Sequence, residues 1–270
     1  MKKFDIPEFY KSPIISHIKS KRKVLDPRKR DYSPTRLDFD NVTFLISRHF
    51  GFCYGVENAI EIAYKSIDEN PGKNIFLLSQ MIHNPNVNED LTEKGIKFIQ
   101  DTHGNELIDI NTLTKDDVIL IPAFGASVEM EQKLLDIGID IKKYNTTCPF
   151  VEKVWKRSEK LGNSNHSIII HGKSKHEETR ATFSRSYQNA PTLIIKNIND
   201  AKILGKIILD DNDKEDFYTV FEGRYSKGFD IKTDLNKIGV VNQTTMLATE
   251  TQEISDYLKN IMLIKHGNEE

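Results

Sequence analysis

From residue 41 onward, short apolar runs alternate with segments of helical period. Val42–Ser47, Ile75–Leu78, Val118–Pro122, Ser167–His171, Thr192–Ile195 and Ile238–Val241 read as strands. Their near-continuous apolar character suits strands buried on both faces of a parallel sheet. Val56, Ile60, Ala63 and Ile67 recur at the spacing that places them on one face of a helix. Further helices are predicted from about Ser127 to Gly138, Pro149 to Gly162 and Glu250 to Met262. Strand–helix alternation of this kind implies an α/β fold with right-handed crossovers. Polar turns near residues 53, 148, 171 and 244 repeat one design, strand then turn then helix. Such turns fall at the carboxyl ends of parallel strands, where α/β sheets gather their ligand sites.

The first 39 residues break this rhythm. They carry eleven Lys/Arg against five Asp/Glu, and prolines at 7, 13, 27 and 34 preclude a long helix. This basic extension reads as a solvated arm or the remnant of a targeting segment. Across all 270 residues the charge is -2 and hydrophobic residues make up 38%, a globular composition. That balance gives no reason to expect a nucleic-acid or anionic-membrane partner. No apolar run reaches the roughly 20 residues of a membrane helix, and Met1–Tyr10 has no apolar leader core. Two widely separated cysteines favour a reducing, cytoplasmic setting over a disulfide framework.

The candidate chemistry sits on the turns. Cys53, in His49-Phe50-Gly51-Phe52-Cys53-Tyr54-Gly55-Val56, follows a strand and precedes a helix. Cys148, in Asn145-Thr146-Thr147-Cys148-Pro149, repeats the arrangement, with Pro149 suited to the first helical position. Thiolates are favoured at helix N-termini, so the pair suggests metal ligation, although free cysteine is also a common core residue. Neither Cys-x-x-Cys nor a zincin helix is present, so any ligand set must be gathered from distant positions. His171-Gly172-Lys173-Ser174-Lys175-His176-Glu177-Glu178-Thr179 lacks the earlier glycine of a P-loop. It reads as a polar turn able to bind an anion and supply a proton, or as an ordinary surface loop. His83, in Ile82-His83-Asn84-Pro85, is a ligand candidate or a structural histidine, and Asn242-Gln243-Thr244-Thr245 places amides and hydroxyls at another strand end.

These segments, in this order and spacing, resemble the 4-hydroxy-3-methylbut-2-enyl diphosphate reductases of the LytB/IspH family. Pro122-Ala123-Phe124-Gly125-Ala126 and the N-terminal extension are similar to the plant and cyanobacterial branch. Phe124 stands where many bacterial members have a histidine, so that pocket histidine is not carried over. The resemblance implies repeated three-layer α/β units around a central iron–sulfur site, each unit giving one cysteine to a [4Fe-4S] cluster. It divides the chain into the extension at 1–40, a first unit at 41–147 and a second at 148–270. It assigns Cys53 and Cys148 to the cluster, His83 and His176 to the substrate diphosphate, Glu178 to proton donation and Thr244 to the proton relay. The implied reaction is reductive dehydroxylation of the allylic diphosphate to isopentenyl and dimethylallyl diphosphate. The implied electron donor is a ferredoxin or flavodoxin, with no nucleic-acid or membrane partner.

The family's third cysteine has no counterpart here, so the expectation is a C-terminally truncated member, two units of three, inactive alone. A quinolinate-synthase-like iron–sulfur dehydratase and a non-catalytic α/β binding module are the alternative readings.

Overall fold

The computed structural model describes residues 12–28, 30–48, 51–209 and 214–267. His49, Phe50 and the first eleven residues of the basic arm lie outside the described residues. The chain opens with α1 (Pro13–Leu25), β1 (Thr35–Phe39), β2 (Val42–Ile46), α2 (Tyr54–Glu69), β3 (Ile75–Leu77) and α3 (Pro85–Glu93). It continues through β4 (Ile96–Phe98), β5 (Val118–Leu120), α4 (Val128–Asp136), α5 (Pro149–Gly162) and β6 (Ser167–His171). Then come α6 (Glu177–Tyr187), β7 (Thr192–Ile195), α7 (Ile198–Leu209), α8 (Lys214–Val220), α9 (Ile231–Asp234), β8 (Ile238–Asn242) and α10 (Ala248–His266).

Two parallel three-stranded sheets carry the fold, ordered β4-β3-β5 and β7-β6-β8. Both central strands are buried on both faces. In β3, Ile75 and Leu77 face the core of α2 and α3, whereas Phe76 and Leu78 face the core that includes Leu134 of α4. In β6, Ile169 enters the core formed with α7, α8 and α10, while Ile168 and Ile170 meet Val154 and Leu161 of α5 and Phe183 of α6. Each sheet is thus the middle of a three-layer sandwich, which explains the unbroken apolar runs. Burying one such isoleucine contributes roughly 1.5–3 kcal/mol.

Val42–Ser47 departs from its expected place. It forms β2, paired antiparallel to β1 from Phe39↔Val42 outward, with Phe44 and Leu45 exposed. The Asp40-Asn41 turn makes a hairpin the locally available partner, and a strand so paired need not enter a parallel sheet. Within the basic arm, α1 fits between Pro13, its first residue, and Pro27, with Ser12 accepting the Ile15 N–H as cap.

Candidate active site

Local chemistry fixes the turns at the carboxyl ends of the two parallel sheets, while the Cys53 turn follows the hairpin strand β2. After β3, buried Asn88 holds the 81–83 loop from below. Its Oδ1 accepts the Met81 N–H at 3.1 Å and its Nδ2 donates to the Ile82 carbonyl at 2.9 Å. Asn84 caps α3 through the Val87 N–H, with Pro85 at the first helical position, so His83 projects from a rigid entry. After β5, Ala123 donates to the Met81 carbonyl and accepts from the Cys148 N–H at 2.9 Å. The loops at 81–83, 122–124 and 146–148 are therefore strapped together by backbone bonds.

Cys53 and Cys148 are the N-caps of α2 and α5, and neither thiol makes a side-chain capping bond. Neither is in a disulfide; Cys53 is exposed and Cys148 half-buried. A Cβ built on Gly55, two residues beyond Cys53, would lie only 2.6 Å from Cys148 Sγ. Gly55 is thus a cradle for that sulfur and brings the second cysteine turn against the first. Uncommitted sulfurs at two helix starts, one seated in such a cradle, fit the donors of a thiolate-held group. Among the described residues no three His, Cys, Asp or Glu side chains are arranged to hold a metal ion.

His83 and His176 meet, Nε2 to Nε2, at 3.1 Å. Phe124 stacks on His83 with ring centroids 4.5 Å apart and meets His176 edge-on at 5.3 Å. This phenylalanine walls the imidazole pair on one side. Burial holds His83 below the usual histidine range. His176 is held down to about 4 by burial first, then by His83, Lys173 and Arg180 nearby. Both imidazoles are therefore neutral near pH 7 in this arrangement.

Glu178 is almost completely buried, and both its oxygens are used. One accepts the Thr244 N–H and the other accepts the Thr244 hydroxyl at 2.8 Å. Burial raises its pKa, and the two bonds from Thr244 oppose the rise. The Thr244 loop is set by Gln243, whose Oε1 accepts from the Lys173 N–H at 3.1 Å and the Thr179 hydroxyl at 3.0 Å. Gly172 is required there, because a Cβ would stand 2.7 Å from Thr179 Oγ1.

Residues 171–179, expected as one polar turn, divide into a turn and the start of a helix. The turn ends at His176, which caps α6, and Glu177 to Thr179 form the first helical turn. Two groups of this stretch have no individual role in the sequence expectation. Glu177, 5% exposed, has Oε2 at 3.8 Å from His83 Nε2 and lines a cavity of about 310 Å³ with Ser79, Gln100 and Arg180. Its signal was present, a second carboxylate adjoining His176, but adjacency alone assigns no role. Buried His171 meets the Thr251 hydroxyl at 2.9 Å through Nδ1. All six predicted site residues lie on the loops and helix starts just described. His83 pairs with His176, Glu178 with Thr244, and Cys148 reaches Gly55 beside Cys53.

The model of the LytB protein family matches residues 44–269. A protein of Gloeothece citriformis named 4-hydroxy-3-methylbut-2-enyl diphosphate reductase is 42% identical over 234 residues, 86% of this chain and 56% of that one. The chloroplastic protein of the same name from Botryococcus braunii is 39% identical over 231 residues, 85% of this chain and 44% of that one. The chain thus spans about half the length of the curated relatives it matches. Among solved structures, the E-1-hydroxy-2-methyl-but-2-enyl-4-diphosphate reductase of Plasmodium falciparum shares the fold. It superposes with a TM-score of 0.57 at 24% identity, covering 78% of this chain and 54% of that one. Repeated α/β units, the ordered motif set and the match over residues 44–269 lead to one conclusion: the chain belongs to the LytB protein family.

Proposed function

We propose that this chain carries the substrate and proton-transfer residues of a 4-hydroxy-3-methylbut-2-enyl diphosphate reductase. The observation that carries the reading is the juxtaposition of a histidine pair with a buried, doubly bonded carboxyl group at the carboxyl ends of parallel strands. His83 and His176 bind the diphosphate by donating from their Nε2 positions, which an anion can reach only by separating them. Phe124 packs the substrate's apolar side and covers one side of the imidazole pair. Glu178, whose pKa burial raises against the two bonds from Thr244, gives a proton to the departing allylic hydroxyl, and the C–O bond breaks to release water. Thr244 orients that carboxyl group, and its N–H and hydroxyl donate to the carboxylate that remains once the proton has left.

Cys53 and Cys148 are the residues of this chain that would hold an iron–sulfur cluster, and such a group, when bound, supplies the two electrons of the reduction. A second proton, delivered to either end of the allyl system, completes isopentenyl or dimethylallyl diphosphate. A ferredoxin or flavodoxin donor and a cytoplasmic setting accompany this reading. Among the described residues no helix is long and apolar enough to cross a membrane. The division into units near residue 147 is supported by α5, whose packing is against β6, β8 and α6. The reductase name borne by the relatives favours this reading over a quinolinate-synthase-like dehydratase.

The test is calorimetric titration of the 270-residue chain with (E)-4-hydroxy-3-methylbut-2-enyl diphosphate. Binding is expected, and His83→Ala and His176→Ala should each weaken it by about tenfold or more, the loss of a charge-assisted hydrogen bond. Equal affinity in the wild type and both variants would remove the histidines from the site. Anaerobic iron–sulfide reconstitution, followed by visible and EPR spectra of Cys53→Ser and Cys148→Ser, tests the thiolates separately.

A further inference from the structure

His176 has two nitrogens with different duties. Nδ1 accepts the Glu178 backbone N–H at 3.2 Å as the cap of α6. An amide N–H only donates, so Nδ1 is the bare nitrogen and neutral His176 carries its proton on Nε2. That Nε2 lies 3.1 Å from His83 Nε2, so His176 donates and His83 accepts. A second proton on His176 would have to go to Nδ1, against the N–H it caps. His83 is therefore the imidazole of the pair that can turn cationic.

Glu177 stands beside the nitrogen that would take this proton. Its Oε2 is 3.8 Å from His83 Nε2, and the residue is 5% exposed. Neither carboxyl oxygen has a well-formed hydrogen bond, unlike those of Glu178 next to it. A carboxylate so buried and so poorly partnered is disfavoured against the neutral acid. Four groups face it from neighbouring elements. They are His83 before α3, Ser79 after β3, Asp101 after β4 and Arg180 one turn along α6. Arg180 donates to the His103 carbonyl, and Asp101 adds like charge. Burial is the largest influence and pushes Glu177 up to about 7, with Ser79 and Arg180 pulling the other way.

We propose that Glu177 is a positioning residue for the anion: its carboxyl group holds a proton in the unliganded site and passes it to His83 Nε2 when a diphosphate arrives. The Glu177 O–H bond breaks, a His83 N–H bond forms, and a buried carboxylate–imidazolium pair remains. The anion separates the two imidazoles, and His83 Nε2 then donates to a phosphate oxygen while His176 donates from its own Nε2–H. The net charge of the site is unchanged and no proton is drawn from solvent: the positive charge comes to the imidazole that faces the ligand, and the compensating negative charge stays on Glu177. Glu177 and Glu178 hold separate protons, one for binding and one for the chemistry. This inference rests on the diphosphate reading of His83 and His176.

Calorimetry of inorganic diphosphate binding to the 270-residue chain tests it, at about pH 6.5 in two buffers of different ionisation enthalpy, which counts protons taken up. Glu177→Gln is expected to take up most of one proton more per diphosphate than the wild type, and Glu177→Asp to restore the wild-type count. Equal counts in wild type and Glu177→Gln, with binding intact, overturn the transfer and leave the anion site standing. No diphosphate binding by the wild type overturns the anion reading and this inference with it. Should Glu177→Gln fail to fold, ¹⁵N-histidine spectra of the wild type decide. His83 must become an imidazolium on diphosphate addition, and a His83 that stays neutral overturns the proposal.

Discussion

Gly55→Ala tests whether Cys148 Sγ is held where the structure has it. Gly55 is the second residue of α2, and the added methyl carbon would lie 2.6 Å from Sγ and 3.4 Å from Cys148 Cβ. Ordinary contact between such atoms is about 3.5–4 Å, so the sulfur or the helix must yield by roughly 1 Å. Two responses are open. If the sulfur stays, α2 and the Cys148 turn are forced apart, an overpacking cost of about 1–3 kcal/mol. Alanine recovers about 1 kcal/mol of helix propensity against glycine, leaving a net loss of up to about 2 kcal/mol. If instead Cys148 changes rotamer, the strain disappears but the sulfur leaves its cradle. Urea denaturation reads the first outcome, and peptide-mapped alkylation rates at Cys148 read the second. We expect either a lowered midpoint or a changed Cys148 rate, and in both cases weaker iron loading after anaerobic reconstitution. A variant more stable than the wild type, with Cys148 alkylated at its former rate, would refute the cradle.

Four further expectations concern the other half of the site. In a chain that also carries a third cysteine-bearing unit, Glu178→Gln should leave affinity for the allylic diphosphate within about threefold while lowering reductase turnover by about a hundredfold or more, since it removes a general acid; unchanged turnover in a dithionite-driven assay would dismiss Glu178 from that role. Glu177, raised from 4.5 to about 7, contributes stability that is fully present below about pH 4.5 and is lost as pH rises through about 7. The loss amounts to about 3 kcal/mol by pH 8, so Glu177→Gln should flatten the alkaline fall of the urea midpoint; an unaltered slope contradicts the assignment. His176, lowered from 6.5 to about 4, acts in the opposite sense, with stability present above pH 6.5 and lost as pH falls through about 4. Asn88→Ala leaves the Met81 N–H and Ile82 carbonyl unpaired, at a cost of about 2–4 kcal/mol, and frees the His83 loop; diphosphate affinity should fall with it, and an unchanged affinity would show that Asn88 does not hold His83.

The strands buried on both faces are the ones most plainly legible in the sequence; Val42–Ser47, read the same way, is a strand but an exposed one, the hairpin strand β2. Ile75–Leu77 and Ser167–His171 have no exposed position, so their apolar runs are unbroken and unmistakable. β1, Thr35-Arg36-Leu37-Asp38-Phe39, has no such run because it is an exposed hairpin strand held by pairing to β2. β4 is three residues long, and its middle residue Lys97 reaches out over the Phe76 ring. Neither carries a pattern long enough to read. α6 was hidden for a different reason. Its buried positions include Glu177, Glu178, Thr179, Thr182, Ser184 and Ser186, so the face it turns inward is polar. A helix with a polar inner face has no apolar stripe, and a reading based on hydrophobic periodicity takes it for a loop.

That inner face is also what separates the two glutamates. Successive residues of a helix point about 100° apart, so neighbours in the sequence address different parts of the site. Glu178 turns to the Thr244 loop after β8 and is bonded at both oxygens. Glu177 turns to the His83 loop after β3 and is bonded at neither. The motif His176-Glu177-Glu178 therefore contains three groups with three proton states. His176 has its proton fixed on Nε2 by its cap, Glu178 is an acid oriented by Thr244, and Glu177 is an acid beside His83 and Arg180 with no well-formed hydrogen bond at either oxygen. Residue order supplies the inventory of these groups. Only the helix that begins at Glu177, set between two sheets, decides which loop each one serves.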